Sequence, residues 1–158
     1  MNPCSIPIRL TLAEFCAIAL MEAADTVEAA DDAAAFISAL DGNEAPWLNL
    51  REIGTRDKWA VPSPRDGDRA IKCSSRLGRA VTAADIAALI TINRRVAEDL
   101  VDDGDLSRIR ARARLGYREG GGGDFLSWLM AQINKKAFLH LVIPPAPRRR
   151  EGRHAAAR

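Results

Sequence analysis

One segment, residues 82–117, constrains the fold of this 158-residue chain more than any other. It reads TAADIAALITINRRVAEDLVDDGDLSRIRARARLGY. Apolar residues first recur at helical spacing in two short runs, and arginine then alternates with apolar residues. The order of these parts predicts a helix-turn-helix over residues 82–103, followed by a basic wing or small β ribbon over residues 106–118.

Capping residues mark the expected ends of the two short helices. Thr82 and Asp85 form a capping-box pair, which predicts that the first helix begins directly after Thr82. Asn93 follows a short break and is the expected N-cap of the second helix, which then ends at Gly104. The side chains of Asn93 and of the two residues after it would therefore lie together at the start of a helix.

The predicted wing has arginine at every second position. As a strand it would place four guanidinium groups on one face, namely those of Arg108, Arg110, Arg112 and Arg114. Such a face suits the phosphates of DNA or a narrow minor groove. The same segment also fits an exposed helix whose arginines pair with the acidic residues between Glu98 and Asp105. The pattern leaves both alternatives open.

The sequence of residues 85–106, DIAALITINRRVAEDLVDDGDL, resembles the helix-turn-helix of excisionase-type DNA-binding domains. The matching residues are Asp85, Ile86, Ala87, Leu89, Ile90, Ile92, Asn93, Arg94, Arg95, Leu100, Val101, Gly104 and Leu106. The resemblance implies that Asn93, Arg94 and Arg95 open a recognition helix in the major groove, where arginine reads guanine and asparagine reads adenine. The chain departs from the family at Thr91, where glycine is usual.

The N-terminal part is expected to be helical as far as Gly42, which is placed to end the helical region. Thr11 and Glu14 form another capping-box pair, and the apolar pattern beyond them fits either a helical hairpin or one long kinked helix. Proline and glycine interrupt residues 43–80, where we expect irregular structure and a two-stranded ribbon. The two expected strands cover residues 58–61 and 70–73.

At the C-terminal end, Asp124 is expected to cap a final helix. The core-facing stripe of this helix consists of Phe125, Trp128, Leu129, Gln132 and Ile133. Residues 138–143 either extend the helix or form a buried strand. Residues 144–158 have too little apolar surface to fold, and we expect a disordered basic tail. The prediction is therefore a single mainly helical α+β domain over residues 8–143, followed by that tail.

Several classes of protein find no support in the sequence. The three cysteines lack the spacing of a metal knuckle, and neither His140 nor His154 has a catalytic partner. We therefore expect no catalytic residue, no metal, no cofactor and no small-molecule substrate. No apolar run is long enough to span a membrane, and the first residues are typical of a capped helix rather than a signal peptide. A cytoplasmic protein is expected.

Charge is distributed unevenly, although the net charge is only +2. Residues 1–50 carry one arginine and eight acidic residues, whereas residues 108–158 carry twelve basic and three acidic residues. The basic part attracts polyanions and the acidic part repels them. We therefore predict a DNA-binding regulatory or assembly protein, for instance in transcription regulation, that self-associates as a dimer or binds a protein partner through its N-terminal helices. The alternative is a small helical adaptor or inhibitor that binds another protein through its acidic helical surface.

Overall fold

The computed structural model describes residues 9–75, 81–101, 105–120 and 122–142, with side chains described as far as residue 139. These residues form six helices: α1 (Leu12–Ala29), α2 (Ala33–Asp57), α3 (Pro64–Ser74), α4 (Ala83–Asp99), α5 (Leu106–Gly120) and α6 (Phe125–Val142). No strand occurs in the part of the chain that the structure describes. The fold is therefore all-helical, and the prediction of an α+β domain with a β ribbon or wing is wrong.

The central helix is α1, which packs against α2, α4, α5 and α6. The predicted capping box at its start is confirmed, since Glu14 N donates to Thr11 Oγ1 (3.1 Å) and Thr11 N donates to Glu14 Oε2 (2.6 Å). Its buried residues are Phe15, Cys16, Ala17, Ile18, Ala19, Leu20, Ala23, Ala24 and Val27. Four of these are alanines, and such small side chains let the surrounding helices approach closely.

The next helix, α2, continues through both residues that were expected to interrupt it. Asp32 caps it by accepting a hydrogen bond from Ala35 N (2.7 Å), so α1 and α2 form the helical hairpin rather than one kinked helix. Gly42 does not end the helix, contrary to prediction. A Cβ at Gly42 would lie 3.3 Å from Leu126 Cδ2, which shows that α6 passes close to this turn. Pro46 is also inside the helix, where it has no N–H to donate to the carbonyl four residues earlier.

The predicted ribbon over residues 43–80 is also wrong, because α3 occupies much of this region. Residues 58–61 have no regular structure, and residues 70–73 are helical. Pro64 stands in the first turn of α3, where its fixed φ is favourable. The buried residues of α3 recur at helical spacing and are Gly67, Ala70 and Ser74. Packing of this face against α2 explains why the segment is a helix.

A single helix, α4, occurs where two short ones were predicted. Its capping box is confirmed, but the chain remains helical at Thr91, whose hydroxyl donates to Ala87 O (2.8 Å). Burial runs along its whole length through Leu89, Ile92, Asn93, Val96 and Ala97. Because α1 packs along this face, no turn forms and the helix-turn-helix over residues 82–103 is absent. The predicted helix end at Gly104 lies outside the described residues.

The predicted wing over residues 106–118 lies in α5. The two buried side chains of this helix, Ile109 and Ala113, are four residues apart and therefore share one helical face. A sequence with apolar residues at every second position also has them at every fourth, so it fits a strand and a helix equally. Contact with α1 decides in favour of the helix.

The last helix, α6, begins as predicted. Asp124 Oδ1 accepts a hydrogen bond from Ser127 N (2.9 Å), which confirms the N-cap. Leu129 and Ile133 are fully buried against the core. The helix continues to Val142. Residues 138–142 therefore extend α6, which was one of the two predicted alternatives, and do not form a strand. The predicted tail lies outside the described residues.

Candidate functional site

Asn93, the residue predicted to contact a base, is buried among four helices. Its Oδ1 accepts a hydrogen bond from Trp47 Nε1 (2.9 Å). Its Nδ2 donates to Leu20 O (3.2 Å) and to Asn43 Oδ1 (2.5 Å). Asn43 Nδ2 in turn donates to Ser74 Oγ (2.7 Å). This polar network joins α1, α2, α3 and α4, so Asn93 is not accessible to a base edge in this fold.

Three of the predicted arginines lie together along α1. They alternate with carboxylates of α1 in a row that we call the α1 ion chain: Arg114, Glu22, Arg110, Asp25, Arg94 and Glu28. Arg94 comes from α4, whereas Arg110 and Arg114 come from α5. The α1 ion chain therefore joins α1, α4 and α5 by charge as well as by packing.

Short distances show that each arginine of the α1 ion chain is engaged. Arg114 Nη2 lies 2.9 Å from Glu22 Oε1. Arg110 Nη2 lies 2.7 Å from both Glu22 Oε1 and Asp25 Oδ2. Arg94 Nη2 lies 3.0 Å from Asp25 Oδ1. Because Asp25 and Glu22 each receive two arginines, these two carboxylates of α1 are neutralised within the protein.

Hydrogen bonding raises the pKa of two of these guanidinium groups. Burial alone would lower the pKa of Arg110, but its hydrogen bonds to Glu22 and Asp25 outweigh burial and raise the pKa above its ordinary value. The hydrogen bonds of Arg94 to Glu28 and Asp25 likewise raise the pKa of Arg94. The pKa of each of these two guanidinium groups therefore lies above the ordinary value for arginine.

The remaining predicted arginines lie apart from one another. Their partners are Asp66 for Arg95, Glu14 for Arg112 (3.6 Å) and Asp105 for Arg108 (3.2 Å). Residues 108–114 are helical, as the alternative of an exposed helix predicted. The carboxylates that pair with this helix come mostly from α1, and among the described ion pairs only that of Arg108 uses an acidic residue between residues 98 and 105. The structure therefore does not gather four guanidinium groups on one exposed face.

An apolar cleft between α2 and α3, which the sequence analysis missed, has a volume of about 430 Å³. We call it the α2–α3 cleft. Its base is formed by the buried Trp47 and Leu50, and its more exposed apolar walls include Trp59, Val61, Pro64 and Ile71. Arg51 and Asp68 provide charged groups at the same cleft. Two of the three tryptophans therefore lie at one site, Trp59 half-buried and Trp47 in the core, and their closeness in the chain was the signal available in the sequence.

Two glycines shape the α2–α3 cleft. A Cβ at Gly67 would lie 3.2 Å from Trp47 Cε3, so the missing side chain lets α3 approach the indole ring. A Cβ at Gly54 would collide with Val61 Cγ2, so glycine is also needed where residues 59–61 cross the end of α2. Trp59 N donates to Gly54 O (3.1 Å) and holds this crossing in place.

Both residues that flank the crossing segment have left-handed backbones. Lys58 has φ 51° and Ser63 has φ 50°, and they are the two non-glycine residues with positive φ in the described ranges. Such conformations are unfavourable for side chains larger than glycine and persist where the surrounding structure enforces them. The wall of the cleft is therefore a defined structure rather than a random connection.

Exposed apolar side chains continue from the cleft along α2. Leu48 is 38% exposed and Ile37 is 49% exposed. A shallow groove that contains Leu48 shares Arg51 and Thr55 with the α2–α3 cleft. By contrast, the apolar side of α1 is buried within the fold and is not available to a partner.

No family model, no curated protein and no solved structure matches this chain. Within the described ranges, no three histidine, cysteine or acidic side chains are placed to hold a metal ion. No described helix combines the length and the apolar character needed to cross a membrane. The geometry of the chain itself is therefore the basis for assigning a function.

Proposed function

We propose that the protein is a helical adaptor that binds a segment of a partner protein in the α2–α3 cleft. The observation that carries this proposal is the apolar cleft of about 430 Å³, in which the half-buried side chains of Trp59, Val61 and Ile71 form an accessible wall beside the buried Trp47. Ligand sites in proteins typically have volumes of about 300–1,000 Å³ with mostly apolar walls and a few polar groups. The hydrogen bond between Trp47 and Asn93 fixes one of the two rings before any partner arrives.

We favour a peptide segment over a compact small molecule because a second groove, which is lined mostly by polar residues and contains Leu48, adjoins the cleft along α2. The groove at Leu48 adjoins the cleft through Arg51 and Thr55. Residues 48 and 55 of a helix are about 10 Å apart along its axis. One apolar side chain of the partner would enter the cleft, and a second would cover Leu48.

The charges at the cleft define the partner further. Arg51 and Asp68 form no ion pair with the described residues, and both are exposed. A partner segment with an aromatic or leucine side chain between a carboxylate and a basic group would complement both charges. Because such an interface is small, we expect a dissociation constant on the order of micromolar.

A displayed library of 12-residue peptides tests this proposal. We expect the protein to select peptides with an apolar anchor and an acidic residue, and Trp59→Ala to abolish their binding. The double variant Arg51→Glu with Asp68→Arg should select peptides in which the two charges are exchanged. Arg118→Glu is the matched control because Arg118 is also exposed but lies on α5.

Two outcomes would contradict the adaptor proposal. One is a library that yields no enriched peptide although the protein is folded. The other is a set of peptides whose binding is unchanged by Trp59→Ala and whose charge preference is unchanged by the charge exchange. Both would mean that the α2–α3 cleft does not recognise peptides.

DNA binding through a helix-turn-helix is not what we propose, because the turn does not form and Asn93 is buried. Contact of the predicted arginines with DNA stays a prediction, as do a dimer, a role in transcription regulation and a cytoplasmic location. A pull-down from native lysate with and without nuclease separates the two functions. A partner retained by the adaptor would survive nuclease treatment, whereas one bridged by DNA would not.

A further inference from the structure

Ion pairs, together with the small apolar contact of Ile109 and Ala113, attach α5 to α1, while Tyr117 packs against Phe125 and Trp128 of α6. Only Ile109 and Ala113 of this 15-residue helix are buried. Arg110 and Arg114 belong to the α1 ion chain, and Arg112 reaches Glu14 on the same helix. These ion pairs are partly exposed, so solvent and salt screen them. The contact between α5 and α1 is therefore one that a competing anion can enter.

The arginines of α5 lie on two flanks of the helix. At about 100° per residue, residues four apart share a side of a helix. Arg108 and Arg112 therefore occupy one flank, whereas Arg110, Arg114 and Arg118 occupy the other. A helix of about 10–12 Å diameter fits the major groove of duplex DNA, which is about 12 Å wide and has a phosphate backbone on each side. The two arginine-bearing flanks of α5 would therefore face the two phosphate backbones that border the major groove.

We propose that α5 is a masked DNA-binding helix whose arginines are held by the carboxylates of α1 and bind the phosphates of duplex DNA when those carboxylates yield. Carboxylate and phosphate are alternative partners for the same guanidinium fork, which pairs with either in a bidentate manner. Glu22 and Asp25 therefore act as an internal substitute for phosphate. This proposal uses no residue of the α2–α3 cleft and stands independently of the adaptor function.

Removing the internal competitors tests the masking. In the double variant Glu22→Gln with Asp25→Asn, we expect the affinity for a labelled 20-base-pair DNA duplex to rise at least tenfold, as measured by fluorescence anisotropy. Two freed arginines should also steepen the salt dependence of log K by roughly 1.8, at about 0.9 per phosphate contact. The matched control is Glu52→Gln with Asp57→Asn, which makes the same change in charge around Arg56 of α2.

A second variant tests the proposal independently if the first does not fold. Glu14→Gln frees Arg112 on the other flank, and glutamine preserves the capping box at the start of α1. We expect a gain of about threefold, with a slope steeper by roughly 0.9. Adding Arg110→Ala and Arg114→Ala to the first variant should remove its gain. Far-UV circular dichroism monitors the helical content of every variant.

Four results would overturn the masking proposal. In the first, neither carboxylate variant binds the duplex better than the control. In the second, the gain persists after the two arginines are removed. In the third, duplex RNA, whose major groove is deep and narrow, binds as well as DNA, which would exclude insertion of α5 into the groove. In the fourth, a carboxylate variant gains affinity for an acidic protein and none for the DNA duplex.

Discussion

Replacing Asn93 with alanine is expected to lower the free energy of unfolding by about 2–6 kcal/mol. The substitution removes both partners that Asn93 offers to side chains: the acceptor for Trp47 Nε1 and the donor to Asn43 Oδ1. Each buried polar group left without a partner costs about 1–3 kcal/mol, and two groups give the stated range. A domain of this size is stabilised by about 5–15 kcal/mol in total, so the loss would be large.

Urea denaturation followed by tryptophan fluorescence measures this effect, since Trp47 belongs to the network. Thr91→Ala is the control on the same helix. The hydroxyl of Thr91 is exposed and bonds only to Ala87 O among the described contacts, so we expect a change within about 0.5 kcal/mol. A loss below about 1 kcal/mol for Asn93→Ala would refute the reasoning. It would mean that Trp47 and Asn43 find other partners, and that the network does not fix the helices.

Three further predictions follow from single sites. Gly54→Ala should destabilise the protein by about 1–3 kcal/mol and displace Val61 from the wall of the cleft, which a red shift of tryptophan emission would report. Burial raises the pKa of Cys16 to about 12, so this thiol should resist iodoacetamide at pH 8.5 in the folded protein and react in urea. Hydrogen bonds from Ser127 lower the pKa of Asp124. The ionised Asp124 therefore stabilises α6 fully above the ordinary carboxyl pKa, and this stabilisation is lost as the pH falls through the lowered pKa. Asp124→Ala should accordingly cost about 1 kcal/mol at pH 7, and the difference in Tm from the wild type should shrink at pH 2.5. Modification of Cys16 without unfolding, or a Tm difference that is independent of pH, would contradict these two arguments.

Helix beginnings were predicted correctly where the deciding contacts are local. Thr11 with Glu14, Thr82 with Asp85 and the cap at Asp124 each join residues three apart. Both partners of each contact lie within four consecutive residues, so the sequence is sufficient to find them. Predictions of helix ends were less successful, as Gly42 shows. Gly42 lies inside α2, where α6 passes close to it, so close packing by a distant part of the chain is another use of glycine that the local pattern does not reveal.

The candidate sites were the least predictable part because they depend on residues far apart in the chain. The α2–α3 cleft requires Gly67 beside Trp47, and its wall is the segment between two residues with positive φ. The α1 ion chain requires residues 22–28 to face residues 94–114. The excess of arginine was visible in the sequence, whereas its neutralisation by the first helix was not.

The sequence by itself determined that the chain is mainly helical, where three helices begin, and that acidic and basic residues are concentrated at different ends. Tertiary structure decided that the alternating arginine segment is a helix, because α1 offers Ile109 and Ala113 an apolar surface. It also decided that Asn93 is a core residue. The physical reason is that a strand and a helix share the alternating pattern, and an asparagine suits both a cap and a buried network. Only the surface that packs against each residue distinguishes these alternatives.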